Sequence, residues 1–93
     1  MGDYRIIIKT TAKKDLAKHK KSGNKKSRAK ISRIIDELKT HPYIGTGKPE
    51  QLKYNLSGLW SRRINKKDRL VYEVVEDVVT VYIVSAMGHY DEK

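Results

Sequence analysis

The chain changes its hydrophobic period at His41-Pro42, and that change constrains the fold more than any other feature. Before it, Ile31, Ile34, Ile35 and Leu38 recur at i, i+3, i+4, i+7 spacing, an apolar stripe on a helix from about residue 24 to 40. Lys25, Lys26, Arg28, Arg33 and Lys39 lie opposite that stripe. Pro42 closes the helix, because its ring disfavours helical geometry in the residue before it. From residue 51 onward the apolar residues gather in short β-rich runs at 51–54, 60–65, 69–76 and 78–86, with turn residues between them. Ahead of the helix, residues 4–10 carry three consecutive isoleucines and read as a strand. Thr11 is the expected N-cap of a short helix reaching about His19, with Ala12 and Leu16 at i, i+4 spacing and Ser22-Gly23-Asn24 as the break. The predicted order is β-α-α-β-β-β-β. That is an α+β domain, residues 1–93, in which two N-terminal helices pack on a twisted, mostly antiparallel sheet.

Composition bears on whether such a chain folds and what it meets. Leu, Ile, Val and Phe supply 22 of the 93 residues, above the roughly 20% below which strongly charged chains stay disordered. The net charge of +10 points to a polyanion. It is unevenly placed: residues 1–40 hold 13 Lys and Arg against 4 acids, residues 41–93 hold 8 against 7. With no cysteine, disulfides, thiolate catalysis and Cys-ligated zinc are excluded. His19, His41 and His89 lie too far apart for a local ligand pair, so no metal site is expected. The N-terminal apolar stretch is only Ile6-Ile7-Ile8, and no run approaches the length of a membrane span. A soluble cytoplasmic protein with no membrane partner is the expectation.

Four places invite a chemical reading. Gly45-Thr46-Gly47-Lys48 lacks the spacing of a phosphate loop and has no strand before it, which leaves a flexible helix-to-strand connection ending in Pro49-Glu50. Arg62 and Arg63 are adjacent on a predicted strand and must point to opposite faces, so at least one is expected to lie flat on the sheet surface as a solvated arginine. Arg69 opens the next strand, and Lys53 adds a cation nearby. Gly88-His89-Tyr90 follows the last strand, where a histidine has few structural reasons to be. Together Glu50, Arg63, Arg69, His89 and Tyr90 are compatible with metal-free RNA cleavage. That reaction needs a base for the 2′-hydroxyl, an acid for the leaving oxygen, fixed cations and a stacking aromatic. DNA, without the 2′-hydroxyl, would stay uncut.

The run Gly47-Lys48-Pro49-Glu50-Gln51-Leu52-Lys53-Tyr54-Asn55-Leu56-Ser57-Gly58-Leu59-Trp60-Ser61-Arg62-Arg63-Ile64-Asn65 closely resembles the YoeB branch of the RelE-type bacterial toxins. Arg69-Leu70-Val71-Tyr72-Glu73-Val74 and His89-Tyr90 continue the match, which covers about residues 47–90. The resemblance implies a microbial-ribonuclease-like fold and a toxin of a type II toxin–antitoxin pair that cuts mRNA in the ribosomal A site without a cofactor. It implies Glu50 as general base, His89 as general acid and Arg69 as stabiliser of the scissile phosphate. Arg63 and Lys53 would support the phosphate, and Tyr90 would position the nucleotide. A cognate antitoxin and possible homodimers are implied as well. Lys25 and Lys26 on the basic helices are the expected contacts to ribosomal RNA. Two departures stand out: Asp91-Glu92-Lys93 extends beyond the His-Tyr pair that commonly ends this family, and Gly88 replaces a bulkier residue. The alternative reading is a non-catalytic module that binds RNA or the ribosome.

Overall fold

A computed structural model describes residues 3–53 and 56–88. Its elements follow the order β1 (Arg5–Ile8), α1 (Thr10–Ser22), α2 (Lys25–Leu38), β2 (Glu50–Gln51), β3 (Leu59–Arg63), β4 (Arg69–Val75) and β5 (Thr80–Ser85), with a 3-10 turn (Glu76–Val78) between the last two. This is the α+β order expected from the change of period. The five strands form one mixed sheet, β1-β5-β4-β3-β2. Only the β1–β5 pair is parallel; the other three are antiparallel. A parallel pair needs a crossover, which here runs through both helices and the rest of the sheet.

Side chains alternate across a strand, so each strand sorts its residues between two faces. One face carries Leu70, Tyr72, Val81 and Ile83, packed with Ala12 of α1 and Ile31, Ile34 and Leu38 of α2. Ile34, Leu38, Leu70 and Ile83 are fully buried, each contributing about 1.5–3 kcal/mol of transfer free energy. Leu16 and Ile35 pack against this core half-buried. The helices therefore cover one side of the sheet. The other side carries Glu50, Ser61, Arg63 and Arg69, as the pairings Glu50↔Ser61 and Arg63↔Arg69 require.

Several expected boundaries move for local reasons. Helix α1 begins at Thr10 with Lys9 as an N-cap that makes no side-chain bond, so Thr11 is inside the helix and does not cap it. It also continues past His19 to Ser22, where Gly23 supplies the left-handed cap at φ 75°. Asn24 caps α2 through its side chain, accepting from the Ser27 amide at 3.1 Å. Helix α2 ends at Leu38, before Pro42 has any effect. The amides of Lys39, Thr40 and His41 fold back onto the Asp36 and Glu37 carbonyls. Strand β2 is Glu50–Gln51, shorter than the predicted 51–54. Strand β5 pairs with β4 through a register shift between Val71 and Tyr72, whose partners are Ser85 and Ile83. The extra residue bends the end of β5.

Candidate active site

Glu50 stands at the start of β2, and its delivery there depends on the loop from residue 41 to 49. That loop is not the flexible connection the sequence suggested. The Arg62 side chain, 0% exposed, is the post around which it winds. Its guanidinium donates to the carbonyls of His41 (2.6 Å), Ile44 (2.9 Å) and Thr46 (3.4 Å). It also pairs with the Glu37 carboxylate at 2.8 Å and donates from Nε to the Tyr72 hydroxyl at 3.2 Å. Tyr72 in turn donates to the Pro42 carbonyl at 2.6 Å. Glu37 accepts from the Thr46 amide and hydroxyl. Burial pushes the Glu37 carboxyl up, but those Thr46 bonds and the Arg62 charge outweigh it and hold the group below its ordinary range. Gly45 adopts φ +127°, a backbone conformation that side-chain-bearing residues rarely take, and a Cβ there would also run into the Glu37 carboxylate, so the close wrap of the loop relies on glycine. On its outer side the loop is held by Tyr43. This ring sits 5.1 Å from the Trp60 ring, and its hydroxyl, like that of Tyr4, donates to Glu76.

Adjacent arginines do point oppositely, as expected, but the one turned from the site is no solvated surface arginine. Arg62 is buried in the helix-packed layer, and Arg63 is exposed on the opposite face. The reason is nonlocal: an arginine can be inward only where enough carbonyls and a carboxylate meet its donors, and the loop supplies them. The Arg63 amide donates to the Gly47 carbonyl at 2.7 Å, which carries the β3 edge up to the loop.

On the face away from the helices, Arg69 Nη1 lies 3.6 Å from Glu50 Oε1, with the Glu50 side chain 61% exposed and that of Arg69 20% exposed. The same guanidinium donates weakly to the hydroxyl of fully buried Ser61 at 3.4 Å. Arg63 pairs directly with Arg69 across β3 and β4. Glu50, Arg63 and Arg69 are thus brought together. Lys53 is exposed in the segment leaving β2. Lys25 and Lys26 are exposed on α2, on the opposite side of the sheet, and belong to a separate surface. There Lys26, Lys30 and Arg33 line a shallow groove of about 360 Å³ with Thr46. His89, Tyr90 and the Asp91-Glu92-Lys93 extension lie outside the described residues. Among the described residues no group of three or more His, Asp and Glu gathers as a metal cage would require, and no helix is long and apolar enough to cross a membrane.

Sequence patterning gives no expectation of the buried polar cluster just before His89. Asp15 and His19, on the inward side of α1, are 9% and 4% exposed, and Asp68, just before β4, is 8% exposed. All three bond to backbone groups of residues 86 and 88. A signal is nonetheless present: Ala12, Asp15, Leu16 and His19 repeat at i, i+3, i+4, i+7, so the inward stripe of α1 contains two polar residues that need buried partners.

Comparison with known proteins adds to this geometry. The family model described as "YoeB-like toxin of bacterial type II toxin-antitoxin system" matches residues 9–90. The toxin YoeB of Escherichia coli O6:H1 is 49% identical over 61 residues, 66% of this chain and 70% of that protein. The solved structure of a YoeB dimer from Staphylococcus aureus superposes with a TM-score of 0.76 at 36% identity, covering 94% of this chain and 98% of the other. A YoeB–YefM complex from the same organism gives 0.75 at 38% identity, with the same coverage.

Proposed function

Because the chain belongs to the YoeB-like toxins of bacterial type II toxin–antitoxin systems, we propose that it is a ribosome-dependent, metal-independent endoribonuclease that cuts mRNA in the ribosomal A site and so stops translation in the cytoplasm. The observation that carries this reading is the Glu50–Arg69 pair, an exposed carboxylate 3.6 Å from a guanidinium on the face of the sheet opposite the helices. A phosphate entering there competes with Glu50 for Arg69. Once Arg69 turns to the phosphate oxygens, the carboxylate is released beside the ribose. Glu50 then takes the 2′-hydroxyl proton, the 2′-oxygen bonds to phosphorus, and the bond from phosphorus to the 5′-oxygen breaks. His89 gives its proton to that leaving oxygen. The products are a 2′,3′-cyclic phosphate and a 5′-hydroxyl end. Arg69, with Arg63 and Lys53 near it, meets the charge that builds up on the phosphorane. Tyr90 holds the splayed nucleotide by stacking.

The second surface serves docking. The cations of α2 lie on the far side of the sheet from Glu50, where Lys25 and Lys26 can hold ribosomal RNA without obstructing the chemistry. A partner antitoxin is proposed by analogy with the YoeB–YefM complex of Staphylococcus aureus, and self-association by analogy with the YoeB dimer of that organism.

The test is to add the protein to a translating extract, with and without ribosomes, and map mRNA 5′ ends. Cuts within A-site codons that require ribosomes and vanish in Arg69→Ala and Glu50→Gln support the reading. Translation that stops with intact message contradicts it and favours a non-catalytic ribosome-binding module.

A further inference from the structure

We propose that Asp15, His19 and Asp68 are positioning residues that fix the backbone of residues 86 and 88, the segment that leads into His89, and that the acid step depends on them. This rests on the reading of His89 as the general acid. The Ala86 amide donates to Asp15 Oδ2 at 2.9 Å, and the Ala86 carbonyl lies 2.6 Å from His19 Nε2. A carbonyl only accepts, so Nε2 carries a proton and donates. Both backbone groups of Ala86, a fully buried residue, are thereby held by one turn of α1.

Two residues further on, Gly88 is held from both sides. Its amide donates to Asp68 Oδ1 at 2.8 Å, and its carbonyl accepts from the Arg69 amide at 3.2 Å. Asp68 and Arg69 are consecutive. The backbone of Gly88 is therefore docked on the residue that would hold the scissile phosphate. Gly88 adopts φ +78°, the left-handed region, with open space where a Cβ would lie. Glycine serves the turn here, but it also gives the chain the most freedom of any residue just where reach matters. The hydrogen bonds to Gly88 remove that freedom.

Asp68 is itself aimed. The Asn65 amide group donates to Asp68 Oδ2 at 3.1 Å and to Ser27 Oγ at 2.9 Å, while Asn65 Oδ1 accepts from the Asp68 amide at 2.8 Å. The arrangement ties α1, the start of α2 and the β3–β4 turn to one short segment. A fold needing only stability would fill these inward positions with apolar side chains, since buried ionisable groups are costly unless fully bonded. Here every bond from the three side chains to the end of β5 reaches backbone of the residues leading to His89.

The experiment compares single-turnover cleavage at saturating ribosomes for Asp68→Ala, Asp68→Asn, His19→Leu and His19→Gln, with thermal melts to establish that each variant is folded. Asn keeps an acceptor for the Gly88 amide, and Gln keeps a donor for the Ala86 carbonyl. Asp68→Ala and His19→Leu are expected to lower the cleavage rate by about 10- to 100-fold with ribosome affinity unchanged, and the Asn and Gln variants to recover most of the loss. The same substitutions placed on His89→Gln should lower its residual rate no further, because they act through His89. Full cleavage rates in folded Asp68→Ala and His19→Leu overturn the proposal, as do equal losses with and without His89. Should Asp68→Ala fail to melt cooperatively, Asp68→Ser, too short to reach Gly88, carries the same comparison. Wild-type cleavage by His89→Gln alone would instead remove the reading of His89 as the acid, a result distinct from failure of the positioning role.

Discussion

Arg62 and Arg63 differ by one position in sequence and occupy opposite environments, and their substitutions should differ accordingly. Arg62→Ala leaves the Glu37 carboxylate with only its Thr46 bonds and takes the donor from three loop carbonyls and the Tyr72 hydroxyl, and should cost about 2–4 kcal/mol of folding stability. Lysine, without the planar fork, should recover little of it. Arg63→Ala, at an exposed site, should change stability by less than about 0.5 kcal/mol while weakening cleavage. Urea denaturation of the folded variants checks both. The Glu37 carboxyl adds a pH dependence with a definite sign. Its folded-state pKa lies below the ordinary 4.5, so the unfolded chain takes up the proton first as pH falls. The stabilisation is complete above the ordinary carboxylate range and is lost as pH falls through the folded-state value. Asp68 acts in the same direction: burial raises its pKa, but the Gly88 amide, Asn65 and the nearby positive groups hold it below its ordinary value. Stability measured between about pH 6 and pH 3 should fall less steeply in Glu37→Gln than in the wild type. An unchanged slope would show that the Glu37 carboxylate is not held as described.

The loop from 41 to 49 is the element on which Glu50 depends. Gly47 sits at φ +87°, and a Cβ there would come 2.8 Å from the Arg63 carbonyl. Gly47→Ala must therefore push the loop off the β3 edge. It should cost about 1–3 kcal/mol and should reduce cleavage while leaving ribosome affinity intact, measured by denaturation and by single-turnover rates. Much of the element order is legible in the sequence, because Ile31, Ile34, Ile35 and Leu38 state a helical period and residues 69–76 and 78–86 read as strands, of which the structure keeps Arg69–Val75 and Thr80–Ser85, with a 3-10 turn at Glu76–Val78. What escapes it is the polar content of the buried layer. Asp15 and His19 interrupt an apolar stripe, and only the backbone of residue 86, distant in sequence, explains them. The burial of Arg62 is not legible because its acceptors come from a loop with no regular period. Glu50, Arg63 and Arg69 can be listed from the sequence as compatible parts, but that they share one face follows from a cross-strand register the sequence does not state.

Taken as a whole, the molecule divides charge and chemistry between the two sides of its sheet. Residues 1–40 carry most of the excess positive charge, on helices that cover the side away from Glu50. Replacing Lys25 and Lys26 with alanine should weaken ribosome binding and lower the dependence of log K on log salt by about 1 for each phosphate no longer neutralised. Cleavage at saturating ribosomes should stay the same, as read by binding titrations over a salt series beside single-turnover rates. A drop in saturated cleavage equal to the drop in affinity would mean that the two surfaces are not separate. The most direct test of the central claim, that Glu50, Arg69 and His89 drive attack by the 2′-hydroxyl, uses a message with one 2′-deoxynucleotide at a mapped cut site. The expected result is that ribosomes programmed with the all-ribose message yield a fragment with a 5′-hydroxyl end, while the deoxy message survives intact at that codon. Cleavage of the deoxy message at an equal rate, or a product bearing a 5′-phosphate, would contradict the account.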